Sequence, residues 1–302
     1  MLTLRQIIQS NLRPLRFALA AGALAVSWLA VLWPAAAAAQ GRLEAHYTVT
    51  LAGIPIGKGD WTIEIADTHY SASVTGTTTG LMRVLTEGEG STVARGTLNA
   101  GKVQSSTYVA IVKSRKKKDE VRVTLDKGSV KDASSDPPPD HDRERVPVTE
   151  ADLQNVFDPM SATLLTVPGN GNPLAAEACQ RTMPIFDGRL RYDLQLTFKR
   201  MDNVKAEKGY GGPVVVCSVT FKPIAGYIGS RATIRYLAKI RDMEIWLAPI
   251  AGTRVLVPFR AQGPTPIGEA VMQATQFVSA ATATAPAPAN PAAASANGRK
   301  NP

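Results

Sequence analysis

The chain is poor in the residues that most chemistry uses. Among its 302 residues are two cysteines, three histidines (His46, His69, His141) and only 6% aromatics. Two cysteines are too few for a four-cysteine zinc site or a disulfide-dense scaffold. Three scattered histidines leave little for metal ligation or imidazole acid–base work. No G-x-S-x-G elbow occurs. Beyond the first forty residues no apolar run is long enough to span a bilayer. The length still allows one large domain or two small ones, with a substantial core.

Charge is plentiful: 34 Lys and Arg stand against 25 Asp and Glu, a formal net charge of +9. Part of it belongs to an address. Arg5, Arg13 and Arg16 precede an apolar run from Phe17 to Trp33, and Pro34 and the string Ala35 to Ala39 follow. A basic start, an apolar centre and a small-residue end read as a secretory signal peptide, cut after Ala39. The competing reading is a permanent anchor, for which the run is at the short limit. With no cysteine near the cut, lipid attachment is not expected. The expected mature protein is periplasmic, with no transmembrane segment after processing. Without residues 1–39, 31 basic residues face 25 acids, or +6. Residues 280–302, rich in Ala and Pro, read as a disordered tail that removes Arg299 and Lys300 as well. The remaining near-balance is a weak argument for a polyanion, and export argues against nucleic acid.

Residues 40–279 are expected to form one β-rich domain. Leu43, Ala45, Tyr47, Val49 and Leu51 alternate with Glu44, His46, Thr48 and Thr50. The same period recurs at Trp61–Ile65, Val121–Leu125 and Leu190–Phe198, and further strands are expected near 69–76, 103–113, 182–187, 214–222, 243–249 and 253–262. Period two with one apolar face is the pattern of half-exposed antiparallel strands. Asp132 to Val148, with Pro137-Pro138-Pro139, reads as an exposed loop. Thr149 is expected to cap one short helix, and Asp158-Pro159 to start another toward Val167. The expected fold is a curved antiparallel sheet, an open or closed barrel with a short helical insert near 149–167. Two packed sheets are the alternative.

The stretches Val146-Pro147-Val148-Thr149, Phe157-Asp158-Pro159-Met160-Ser161-Ala162 and Ile185-Phe186-Asp187-Gly188-Arg189-Leu190-Arg191-Tyr192-Asp193 resemble an exported bacterial family catalogued as domain of unknown function 3108. Weaker echoes are Pro223-Ile224-Ala225-Gly226-Tyr227 and Ile245-Trp246-Leu247, and the resemblance spans roughly residues 43–275. It implies an envelope protein, mostly β. It brings no catalytic residue to carry over.

Few motifs point to chemistry. Gly53 to Gly59 resembles a phosphate loop but is one residue short, and it reads as a hairpin turn. Gly88-Glu89-Gly90 lacks the third glycine of a dinucleotide motif. Asp140-His141-Asp142 lies in a proline-rich loop, so no metal site and no cofactor are expected. Asp158, Asp187 and Asp193 suit a helix cap, a turn and a polar strand face better than catalysis. Lys113, Arg115, Lys116, Lys117 and Lys118 make a basic hairpin tip, either an anion or headgroup contact or a solvated end. Cys179 and Cys217 are expected to form a disulfide in an oxidising compartment, buried free thiols being the other reading. The expected function is non-catalytic: a curved sheet holding an amphiphile or lipid. The alternative is a structural or interaction protein of the envelope, engaging another envelope protein through loop 132–148 or the tail. A hydrolase using the three aspartates ranks last.

Overall fold

The alternation at Leu43, Ala45 and Tyr47 becomes an inward row on the first strand, β1 (Gly41–Leu51), with Arg42, Glu44 and His46 exposed between them. The computed structural model describes residues 40–79, 88–99 and 101–282. The expected leader, residues 1–39, and the expected tail from residue 283 lie outside the described residues.

A meander continues through β2 (Ile54–Ile65), β3 (His69–Thr78), β4 (Gly88–Asn99), β5 (Lys102–Ser114), β6 (Lys118–Asp126) and β7 (Ser129–Asp136). An irregular insert follows. It holds 3-10 turns at Glu150–Leu153, Ser161–Thr163 and Ala176–Cys179, and a two-residue strand β8 (Leu165–Thr166). The second half comprises β9 (Arg181–Phe186), β10 (Arg191–Lys205), β11 (Lys208–Gly209), β12 (Gly211–Ala225), helix α1 (Ala232–Lys239), β13 (Met243–Pro249), β14 (Val255–Thr265) and β15 (Gly268–Ala281). β15 therefore extends into the stretch expected as tail; Ala280 and Ala281 pair with Arg42 and Gly41.

All strands join one sheet in the order β7-β6-β5-β4-β3-β2-β1-β15-β14-β13-β12-β10-β9, with β11 beside β15 and β8 beside β14. Neighbours along this path are antiparallel; β11 runs parallel to β15. The sheet is open, because no ladder joins β7 to β9. The insert spans that gap instead. Val156 N donates to Gly128 O (2.9 Å), Phe157 N to Pro184 O (2.9 Å), and Phe186 N to Phe157 O (2.9 Å). Arg189 then reaches from the β9–β10 turn to Asp119 of β6 with two short contacts, 3.0 and 2.9 Å.

The core has two clusters. The larger takes Leu43, Ile63, Val123 and Phe277, together with Val214, Val216, Trp246, Ala248, Val257 and Phe259. The smaller takes Val215, Cys217, Leu247 and Leu256. Alternate residues of β12, β13 and β14 thus point into different clusters. Strands buried on both faces read as continuous apolar runs, which accounts for Val214-Val215-Val216-Cys217, all fully buried.

The insert differs from its expectation. Thr149 does begin a turn: its N–H and hydroxyl both meet Asp152 Oδ2, at 2.9 and 2.7 Å. No helix runs from Asp158 to Val167. A 3-10 turn ends at Thr163, and Leu165–Thr166 leave it to pair with Leu256 and Val255. The 132–148 loop likewise begins as strand, since β7 holds its residues through Asp136 against β6. Helix α1 and the Gly-rich strand β4 carry no clear sequence signal.

Candidate functional site

Between the sheet and the insert lies an apolar pocket of about 320 Å³. β1 supplies Tyr47 and Val49, β2 Trp61, β3 Val74 and β15 Met272; Pro258 of β14 and Met160 and Thr163 of the insert complete it. That volume falls at the small end of ligand sites, about 300–1,000 Å³. A wider and more polar cleft of about 650 Å³ also borders the larger cluster, at Val103, Val156 and Leu164.

One feature of its wall is unusual. Trp61 is 6% exposed, and its indole N–H meets no acceptor among the described residues. A buried donor without a partner carries a desolvation cost of about 1–3 kcal/mol. Its neighbour Tyr47, with ring centroids 6.1 Å apart, is satisfied: the hydroxyl donates to Pro258 O at 2.6 Å. Burial pushes the Tyr47 phenol far up, so it stays a neutral hydroxyl. Lys58 and Asp60 also line the pocket and reach solvent, and Asp60 meets His46.

A second polar cluster lies deeper. Asp158 is fully buried. Its carboxylate accepts the Ser161 N–H (2.8 Å) and hydroxyl (2.5 Å), and Tyr70 donates to that Ser161 oxygen at 2.5 Å. The Asp158 N–H meets Ser105 Oγ at 3.3 Å. Desolvation raises the Asp158 pKa, while the bonds from Ser161 and Ser105 pull it back. The cluster ties the insert to β3 and β5. The sequence suggests Asp158 as the cap of a helix; here it accepts the Ser161 N–H ahead of a short 3-10 turn whose N-cap is Met160, and its burial has no sequence sign. A capping Asp looks alike in a surface turn and in a core; only Tyr70 and Ser105, far away in sequence, make the difference.

The other expected residues do not converge on one centre. Asp187 takes the N–H groups of Arg189 (2.8 Å) and Leu190 (2.7 Å) in its turn, and burial raises its pKa. Asp193 pairs with Arg191 at 2.6 Å on half-buried β10. Asp140 pairs with Arg231 (3.3 Å), and Asp142 accepts the Glu144 N–H (2.9 Å). The turn expected over Gly53 to Gly59 is shorter: Ala52 and Gly53 make it, and Ile54 to Gly59 already belong to β2 and pair with β1. Cys179 and Cys217 are bonded, joining the insert to β12 inside the smaller cluster. Lys113, Arg115, Lys116, Lys117 and Lys118 sit at the β5–β6 hairpin; Lys113 pairs with Glu89 (3.3 Å) and Lys118 with Glu120 (2.7 Å).

Two features escaped the sequence reading. One is the orphan Trp61 donor, since Trp61 reads only as an inward strand residue. The other is a polar cleft of about 460 Å³ where Arg200 and Arg260 flank Trp246, at 5.3 and 4.9 Å from its ring. There the Trp246 indole donates to Asp202 at 2.9 Å and lowers its pKa.

The family described as "Protein of unknown function (DUF3108)" matches residues 46–275, about three quarters of the chain and the whole of this pocket. Comparisons with curated proteins and with solved structures give no match. The chain belongs to the DUF3108 family.

Proposed function

We propose that this DUF3108 protein is a non-catalytic binding module of the bacterial periplasm, and that its ligand is an amphiphile with an apolar chain and an acceptor oxygen near it. The observation that carries this reading is the apolar pocket between sheet and insert, with an unpartnered indole donor in its wall. An acyl chain would fill the notch, and the sealed Trp61 indole nitrogen would meet its ester or carboxyl oxygen once the wall shifts to admit it. The disulfide supports an oxidising compartment. Among the described residues, no helix is long and apolar enough to cross a membrane. Asp158, sealed from solvent and engaged by Ser161, is better placed to hold the insert than to turn over a substrate.

Trp61 supplies the test. Trp28 and Trp33 lie in the expected leader, so Trp246→Phe leaves Trp61 as the sole tryptophan of the processed chain. A fatty acid brominated along its chain should quench that fluorescence saturably, and an unbrominated one should compete. Enlarging the wall with Val49→Phe and Val74→Phe should abolish the quenching. Quenching that never saturates, or that survives the filled pocket, refutes the reading. In that case the interaction-protein reading takes its place, to be sought by crosslinking in the envelope.

A further inference from the structure

We infer that the sheet end carrying the β1–β2, β5–β6 and β14–β15 turns is a docking surface for an anionic phospholipid bilayer. The register places these turns together. Ser114 pairs with Gly88, Thr78 with Gly57, Gly57 with Val49, and Val49 with Met272. Gly88 N also donates to Thr78 Oγ1 at 3.0 Å, which joins the two halves of this row across β3 and β4. All three turns project beyond the row on the same side. Six strands spaced about 4.8 Å apart make a rim roughly 24 Å long.

Apolar exposure concentrates on that rim. Ile267 is 71% exposed, Val112 56% and Ile54 55%, the three highest values among the large exposed hydrophobics of the described residues. Ile54-Pro55 and Pro266-Ile267 sit on abutting turns, locked by Ala52 N donating to Glu269 O at 2.9 Å. The backbones approach so closely that a Cβ on Gly268 would lie 2.7 Å from that of Ala52. Val112 stands beside the basic tip. The turns at the opposite end, around residues 66–68, 101 and 127–128, carry none of these exposed hydrophobics.

The charge on the rim selects the partner. Arg115, Lys116 and Lys117 form the β5–β6 turn, flanked by Lys113 and Lys118. Glu89 pairs with Lys113 and Glu120 with Lys118 and Arg122, and Asp119, Glu269 and Asp60 are the other acids nearby. Exposed apolar tips beside clustered cations match a bilayer with anionic headgroups: the tips enter the interface while the lysines meet phosphate. A solvated hairpin end accounts for the lysines alone and leaves Ile54 and Ile267 unexplained. The inference also deepens the proposed function, because Val49, Lys58 and Met272 of the pocket lie on or beside the same register row. A ligand entering there comes from the membrane side.

The test is sedimentation of the full processed chain with vesicles of phosphatidylcholine alone or with 30 mol% phosphatidylglycerol. The protein should bind the mixed vesicles, leave the neutral ones, and come off in 0.5 M salt. At about 1 kcal/mol per cation near the surface, Lys116→Gln with Lys117→Gln should weaken binding about 30-fold. Ile54→Ser with Ile267→Ser should weaken it about tenfold. These side chains are exposed, so unchanged urea midpoints will confirm folding of both variants. Binding to neutral and anionic vesicles alike, no binding to either, or parental binding by both variants overturns the inference. The Val49→Phe and Val74→Phe variant should bind vesicles as the parent does, so failure of the pocket reading is separable from failure of docking.

Discussion

The two tryptophans of the folded domain make a matched experiment. In both, replacement by Phe removes an indole N–H and part of a ring. At Trp61 the lost ring area costs about 1 kcal/mol, from roughly 40 Å² at about 25 cal/mol/Å². Against this, a buried donor with no acceptor disappears, which returns about 1–3 kcal/mol. Trp61→Phe should therefore be neutral or stabilising by up to about 2 kcal/mol. At Trp246 the same change removes a bond to the Asp202 carboxylate, about 1.5–3 kcal/mol for a charged acceptor. It also weakens contacts with Arg200 and Arg260, about 0.5–1 kcal/mol each at partly exposed sites. Trp246→Phe should cost about 2–4 kcal/mol. Urea unfolding followed by circular dichroism measures both without relying on tryptophan emission. The two variants should differ by about 2 kcal/mol or more. Equal costs, or a larger cost at Trp61, would show that the Trp61 donor is satisfied and remove the main support for an acceptor-bearing ligand. If the difference holds, Trp61→Phe should also lose about tenfold in affinity for a fatty acid, the worth of one hydrogen bond.

Three further outcomes test the frame around the pocket. Reducing the Cys179–Cys217 bond, with its separation of 38 residues, should lower stability by about 4 kcal/mol on the chain-entropy argument; urea midpoints with and without reductant that agree within about 1 kcal/mol would refute it. Asp158, raised by burial, keeps a proton in the folded state that the unfolded chain loses near pH 3.9. Its contribution must therefore fall as pH rises from about 4 through its own raised value. The stability of the parent relative to Asp158→Asn should decline over that range, and a flat or rising difference contradicts the burial. Gly209 has φ +98, and a Cβ there would lie 2.1 Å from Phe277 O. Gly209→Ala should cost more than about 1 kcal/mol and loosen β11 from β15, seen as faster amide exchange at Tyr210, whose N–H donates to Phe277 O.

What the sequence revealed and what it hid follow one physical division. Strand alternation is local, so β1, β2, β6 and β10 were legible from their own side chains. Even the Val214–Cys217 run, which breaks period two, marks strands covered on both faces. β4 is hidden because its glycines weaken the pattern, one of them where the register crowds: a Cβ on Gly96 would stand 2.1 Å from Gln104 O. The insert was misjudged because capping signals fix where a turn starts, not whether it continues. Beyond Thr163 the pairing of Leu165 and Thr166 with β14 outcompetes helix, and that partner lies ninety residues away. The candidate site is still less local. Its wall is drawn from β1, β2, β3, β14, β15 and the insert, and its most informative atom is defined by a missing neighbour. No window of sequence encodes the absence of an acceptor. The docking rim falls between these cases. Its cations form one contiguous cluster that sequence alone exposes, but Ile54 and Ile267 join them only through the register of six strands. The charge that was legible therefore acquires a partner only when the fold brings the apolar turns to the same edge.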